Sequence, residues 1–134
     1  MKYLPDTNAC VTYLRQPQSL LAQRISAKPA ADVQICSVVV AELYYGAHRS
    51  AQVATNIAKV AAFLRQFASI PFDDAAAEEF ARLRAFLEAQ GQPIGPYDLQ
   101  IAAIALANGM TLVTHNTQEF GRVPNLLIED WEIP

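Results

Sequence analysis

Residues 98–116, D-L-Q-I-A-A-I-A-L-A-N-G-M-T-L-V-T-H-N, form the stretch that decides the fold. Asp98 opens the most apolar helix of the chain, and Asn108-Gly109 is a pair that ends helices. The run T-L-V-T at 111–114 then predicts a short strand. A helix that leads directly into such a strand is typical of a parallel sheet covered by helices.

The rest of the chain repeats this alternation of strands and helices. Strands are predicted at 2–5, 33–36, 69–72, 111–114 and 126–128, and helices at 7–15, 19–27, 37–48, 51–66, 73–90 and 98–108. Ser37 is the expected N-cap of the third helix, and 37–66 reads as an inserted hairpin or lid. We therefore expect residues 1–134 to form a single α/β domain with three α/β/α layers and a mainly parallel five-stranded sheet.

Composition places the chain among globular proteins. It has 134 residues, of which 52% are hydrophobic and 17% charged. No apolar run reaches the ~18 residues that a membrane span needs, and the N-terminus lacks a signal-peptide pattern, so a cytoplasmic protein without a membrane partner is expected. Cys10 and Cys36 do not have the spacing of a zinc site.

Four acidic residues stand in or beside apolar runs: Asp6 in K-Y-L-P-D-T-N, Glu42 in V-V-V-A-E-L-Y-Y-G, Asp98 in P-I-G-P-Y-D-L, and Glu119 in V-T-H-N-T-Q-E-F. An ionised carboxylate in an apolar setting is costly unless a positive charge compensates it. In parallel α/β sheets the working site lies beyond the carboxyl ends of the strands, where several of these motifs fall. Carboxylates from separate segments are typical ligands of Mg²⁺ or Mn²⁺.

Phosphodiester hydrolysis is the chemistry that fits such a site, because a bound metal lowers the pKa of water and stabilises charge on a phosphate. The chain lacks a plausible Ser-His-Asp or Cys-His arrangement and both nucleotide-binding glycine motifs. The net charge of −3 does not exclude a nucleic acid. Without the four motif acids and the three in the last six residues, ten Lys and Arg stand against six acids.

Other interpretations of these residues remain open. Asp6, Asp98 and Asn116 could each act only as helix caps. The chain could be a non-catalytic binding module that has lost its second metal. It could also be a small-molecule phosphohydrolase with Asp6 as covalent nucleophile, although that chemistry expects an acid two positions later, where Asn8 stands.

The motifs together resemble those of a known family. They are L-x-D-T-N near the start, A-E-L-x-x-G at 41–46, P-I-G-x-x-D-x-x-I-A-A at 93–103, V-T-H-N-x-x-E-F at 113–120 and R-V-P-x-L-x-I-E-D-W at 122–131. In this order and spacing they resemble the PIN-domain ribonucleases, and most closely the VapC toxins of bacterial toxin–antitoxin pairs. The resemblance covers the whole chain and implies the three-layer PIN fold.

The resemblance also implies an activity, a cofactor and partners. It implies an Mg²⁺- or Mn²⁺-dependent endoribonuclease that cuts structured RNA such as transfer RNA, a cognate VapB-like antitoxin, and a homodimer. The metal-binding acids become Asp6, Glu42 and Asp98. The family's fourth acidic position falls at Asn116, and Glu119 is expected to take over that role, through water. The residues expected to support these acids or the substrate are Thr7, Asn8, Ser37, Thr114 and His115.

Overall fold

Five short strands and seven α-helices alternate along the computed structural model, which describes residues 1–134. The strands are β1 (Tyr3–Pro5), β2 (Gln34–Cys36), β3 (Ala68–Ile70), β4 (Thr111–Val113) and β5 (Ile128–Glu129). The helices are α1 (Thr7–Arg15), α2 (Leu20–Ala27), α3 (Ser37–His48), α4 (Val53–Leu64), α5 (Asp74–Ala89), α6 (Pro96–Ala107) and the single turn α7 (Thr117–Phe120). This order follows the predicted alternation closely.

Every strand pair is parallel. β4 pairs with β1 on one side and with β5 on the other, while β2 pairs with β3. A single bridge between Tyr3 and Val33 places β2 beside β1, which gives the spatial order β3-β2-β1-β4-β5. The predicted parallel arrangement of five strands is confirmed, although the two halves are joined by that one bridge.

Helices cover the two faces of this sheet. The rule that crossovers are right-handed places α1 to α4 over one face and α5 and α6 over the other. The contacts follow this division, since α1 packs on α2, α3 and α4, and α5 packs along α6, and α3 also contacts α6. The run from Ile101 to Ala105 in α6 is fully buried, and α6 therefore forms the centre of the hydrophobic core, as its apolar sequence indicates.

Two local expectations are wrong. Ser37 is the first residue of α3 rather than its cap, and its hydroxyl accepts a hydrogen bond from the distant Phe72 N–H. Asp98 is the third residue of α6, which begins at Pro96, a residue that suits the first helical position. The stretch 37–66 forms the expected hairpin, since α3 packs on α4, and it is not a lid, because Val39 and Phe63 are buried in the main core.

The conformations at two predicted helix ends are as expected. Gly91 and Gly109 follow α5 and α6 with φ of 67° and 63°, a region that glycine enters without steric cost. Cys10 and Cys36 are free and buried. None of the helices has the length and apolar character that would let it cross a membrane.

Candidate active site

Asp6 stands at the junction of β1 and α1 and is only 3% exposed. One carboxylate oxygen accepts the Ala9 N–H at 2.8 Å and so caps α1, while the other accepts the Thr114 hydroxyl at 2.6 Å. Burial raises the pKa of Asp6, and these two hydrogen bonds offset part of that rise. The capping role is therefore real, and it also fixes the direction of the carboxylate.

Thr114 connects the ends of two neighbouring strands. β1 and β4 pair in register, so Asp6 and Thr114 follow partner residues at the same edge of the sheet. The Thr114 hydroxyl donates to Asp6 and accepts the Asn116 N–H at 3.0 Å. The predicted supporting role of Thr114 thus has a definite geometry, in which a buried hydroxyl orients the first acid and the turn that follows β4.

Glu42 lies in the second turn of α3 and is half-buried. One of its oxygens accepts the Thr7 hydroxyl at 2.5 Å, since α1 packs against α3. The other oxygen has no hydrogen-bond partner within the protein. Thr7 therefore orients Glu42 as Thr114 orients Asp6, while leaving a carboxylate oxygen free for a ligand.

Asp98 is half-buried in the first turn of α6, and its carboxylate forms no hydrogen bond or ion pair. Burial is the main cause that raises its pKa from 3.8 to about 6, and the charges of Asp6, Glu119 and Glu42 raise it further. No basic side chain offsets this rise. Acids from three other segments therefore lie near enough for their charges to act on Asp98, so the four separate motifs meet around it.

Glu119 and Asn116 occupy the turn after β4. The Asn116 side-chain amide donates to a Glu119 oxygen at 3.1 Å, and Asn116 makes no capping bond with its side chain. Asn116 is thus the N-cap residue of α7 but does not cap the helix with its side chain, which instead holds one oxygen of Glu119. That Glu119 stands in for an acid at position 116 stays a prediction.

The remaining predicted residues are placed less centrally. Asn8 is exposed and makes no side-chain hydrogen bond. Ser37 lies on the same face of α3 as Glu42, where both line one groove. His115 points to the rim, where its Nδ1 lies 2.9 Å from an Asp130 oxygen, and this hydrogen bond raises the pKa of the imidazole.

The C-terminal acids are the part of the site that the sequence interpretation missed. The charge of Glu132 raises the pKa of Asp6. His115, Asp130 and Glu132 bring potential ligand atoms within 4.8 Å of one another, closer than any three of the four predicted acids. These two acids follow β5, the neighbour of β4, so the rule that carboxyl ends of parallel strands share an edge would have found them.

This arrangement can be compared with known proteins. Residues 3–126 match the PIN domain family. The chain belongs to the PIN-domain family. The predicted three-layer fold and the predicted resemblance are thereby confirmed.

Two relatives in this family span essentially the whole chain. The tRNA(fMet)-specific endonuclease VapC of Shigella flexneri is 36% identical, with 98% of each chain covered. Ribonuclease VapC2 of Rickettsia felis is 38% identical, with 98% of this chain and 99% of the relative covered. The predicted enzyme class, a nuclease hydrolase, is confirmed at that level.

A solved structure gives the same result for the fold. The DNA-bound VapBC from Salmonella typhimurium contains a chain that is 34% identical, with 98% of both chains covered and a TM-score of 0.93. Such a score over the full length means that helix packing and strand order, and with them the edge that carries the acids, are shared.

Proposed function

We propose that this PIN-domain protein is the toxin of a VapBC-type toxin–antitoxin pair, a cytoplasmic endoribonuclease that uses Mg²⁺ or Mn²⁺ to cut a structured RNA such as transfer RNA. One observation carries the proposal. The half-buried Asp98 carboxylate has no hydrogen bond or ion pair, and its pKa is raised by burial and by the charges of three acids from other segments, Asp6, Glu119 and Glu42.

The donor set fits a hard divalent cation. Mg²⁺ prefers oxygen ligands and retains several waters, so the carboxylates need not all touch the ion. Both oxygens of Asp98 and one of Glu42 are free, while hydrogen bonds hold Asp6 and Glu119 in direction. Asp6, Glu42 and Asp98 would hold the cation, and Glu119 would contribute through water.

The cation, when bound, lowers the pKa of water and offsets negative charge on the phosphate. The protein's own groups do the positioning. Thr114 and the α1 amide of Ala9 fix Asp6, and the Thr7 hydroxyl fixes Glu42. The amide of Asn116 holds Glu119, and the remaining donor capacity of that amide is available to a water or a phosphate oxygen.

An antitoxin partner follows from the same relationship. The Salmonella relative was solved as VapBC bound to DNA, and we extend that assembly to this chain, with a VapB-like antitoxin and a homodimer of the toxin. A site that lacks a compensating positive charge is open to a basic side chain from a partner, which would occupy it in place of the cation.

The test is RNA cleavage by the purified protein, followed by sequencing of the RNA ends. Cleavage should require Mg²⁺ or Mn²⁺, stop with EDTA and be lost in Asp6→Asn and Asp98→Asn. The matched control is Asp74→Asn, which alters an exposed Asp in the first turn of α5. Wild-type rates in the first two variants, with contaminating nuclease excluded, would reject the proposal. Retained fold without Mn²⁺ binding by calorimetry would instead favour a non-catalytic binding module.

A further inference from the structure

A groove of about 700 Å³ adjoins the acidic site along one face of α3. Ser37, Glu42 and Tyr45 line it from α3, and Tyr97 and Gln100 line it from the first turns of α6. Glu42 therefore belongs to both the acidic site and the groove. A molecule that lies in the groove would therefore lie directly beside a group bound at the acids.

We call this surface the Tyr45–Tyr97 groove, because two exposed aromatic rings form its walls. Tyr45 and Tyr97 are 62% and 60% exposed, and Phe72, which packs on Phe80, adds a third ring to the lining. Large aromatic side chains left this open on a soluble protein mark a binding surface. Tyrosine rings present a flat face to a nucleobase, and base–aromatic stacking tolerates any base because every base has a π-face.

A hydroxyl group lines the groove, and an arginine lies beside one of its tyrosines. The Ser37 hydroxyl accepts the Phe72 N–H at 3.2 Å, which leaves its own proton to donate into the groove. Arg49 lies one helical turn beyond Tyr45, with its guanidinium carbon 5.6 Å from the ring centre and a hydrogen bond of 3.3 Å to the phenol oxygen. A positive charge thus sits beyond the rings, on the far side from Glu42.

We propose that the Tyr45–Tyr97 groove binds an unpaired nucleobase of the RNA next to the cleaved bond. The inference rests on the proposed function. The base stacks on Tyr97 and Tyr45, the phosphate on one side of its nucleotide lies at the acids, and Arg49 meets the backbone phosphate on the other side. Glu42, Tyr45 and Arg49 follow one another along α3 and its C-terminal cap, so an acid that would hold the cation, an aromatic ring and a positive charge come in the order in which phosphate, base and phosphate alternate along a single strand. A second copy of the chain or an antitoxin segment would cover the two tyrosine rings, but it has no alternating phosphates and bases.

The experiment measures kcat/KM on the RNA whose cut position has been mapped, and on the same RNA with single abasic nucleotides flanking that position. Removing one stacking partner should lower kcat/KM about tenfold. We expect this loss in Tyr97→Ala on intact RNA, and in the wild-type protein on one of the abasic RNAs. On that abasic RNA, Tyr97→Ala should cause no further loss, because the two changes remove the same contact.

Two variants serve as controls. Tyr97→Phe keeps the ring and should keep the rate. Phe86→Ala removes an aromatic ring that is 43% exposed on α5, outside the groove, and should leave kcat/KM within twofold of wild type. The comparison of abasic and intact RNA needs only the wild-type protein, so the inference stays testable even if a variant folds poorly.

The following results would overturn the base-binding assignment. Tyr97→Ala could cut intact RNA at the wild-type rate, or lose activity equally on intact and abasic RNA. Light scattering at the assay concentration could show that Tyr97→Ala converts a dimer to a monomer, which would assign the groove to a second copy. In these cases cleavage that still depends on Asp6 leaves the nuclease function standing, whereas cleavage that survives Asp6→Asn removes that function itself.

Discussion

Replacing Asp98 by Asn should make the metal-free protein more stable while abolishing cleavage. The ordinary pKa of an Asp is 3.8, and in the folded chain that of Asp98 is about 6, chiefly because of burial and then because of three neighbouring acids. The folded state therefore binds the proton more tightly than the unfolded state. As pH rises from 3.8 to 6 the unfolded state loses its proton first, and stability falls over that window and stays low above it.

The size of the effect follows from the same numbers. A shift from 3.8 to about 6 corresponds to at most about 3 kcal/mol. Because Asp98 is only half-buried, solvent screening reduces this to about 1–2 kcal/mol. Asn also loses the favourable interaction of a carboxylate with the N-terminus of α6, about 0.5 kcal/mol. We expect a net gain near 1 kcal/mol at pH 7, or roughly 4 °C in Tm.

The assay is thermal unfolding in EDTA at pH values from 3.5 to 7.5, for the wild type, Asp98→Asn and Asp74→Asn. Asp74 also lies in the first turn of a helix but outside the acidic site. Its variant should therefore lose only the favourable interaction of a carboxylate with the N-terminus of the helix. Adding Mg²⁺ at 100 times its Kd should stabilise the wild type by about 2.7 kcal/mol and Asp98→Asn much less.

The reasoning would be refuted by either of two results. Asp98→Asn could be no more stable than Asp74→Asn at pH 7 in EDTA. Alternatively, the stability difference between wild type and Asp98→Asn could fail to widen between pH 4 and 6. Either outcome would mean that burial and the neighbouring acids do not disfavour the charged form of Asp98 in the folded protein, and the case for a shared cation would lose its electrostatic basis.

Three further predictions concern the groups around the acids. Thr114→Val should destabilise the protein by about 1.5–3 kcal/mol and lower its affinity for Mn²⁺ by calorimetry, because a buried hydrogen bond to a carboxylate is lost. The control Thr111→Val, in the strand that Thr114 follows and without a side-chain hydrogen bond, should leave Mn²⁺ binding unchanged. Asp130→Asn should lower the pKa of His115 in an NMR titration, and an unchanged pKa would contradict the observed hydrogen bond. Phe120→Ala should cost about 3–5 kcal/mol by urea unfolding, since this fully buried ring anchors α7; a loss below 1 kcal/mol would show that α7 is not held by the core.

Local sequence was enough to locate most elements of secondary structure. The apolar spacing in α1 and α4, the glycines after α5 and α6, and the apolar run of α6 all reflect interactions within a few residues, and those elements lie where the patterns indicate. One boundary that failed involves a distant partner. The Ser37 hydroxyl, expected to cap α3, instead accepts the N–H of Phe72, a residue 35 positions away.

The sequence by itself determined which acids stand in apolar surroundings, and so it identified Asp6, Glu42, Asp98 and Glu119 as candidates for one site. Only the tertiary structure decided which other groups join them. The strand order β3-β2-β1-β4-β5 places the end of β5 beside β4, and this brings Asp130 and Glu132 to His115 and the first acid. Helices that are far apart in the sequence likewise come together to form the Tyr45–Tyr97 groove next to Glu42. Residue spacing encodes which face of an element is buried, whereas neighbours across the sheet are set by how the buried faces fit together.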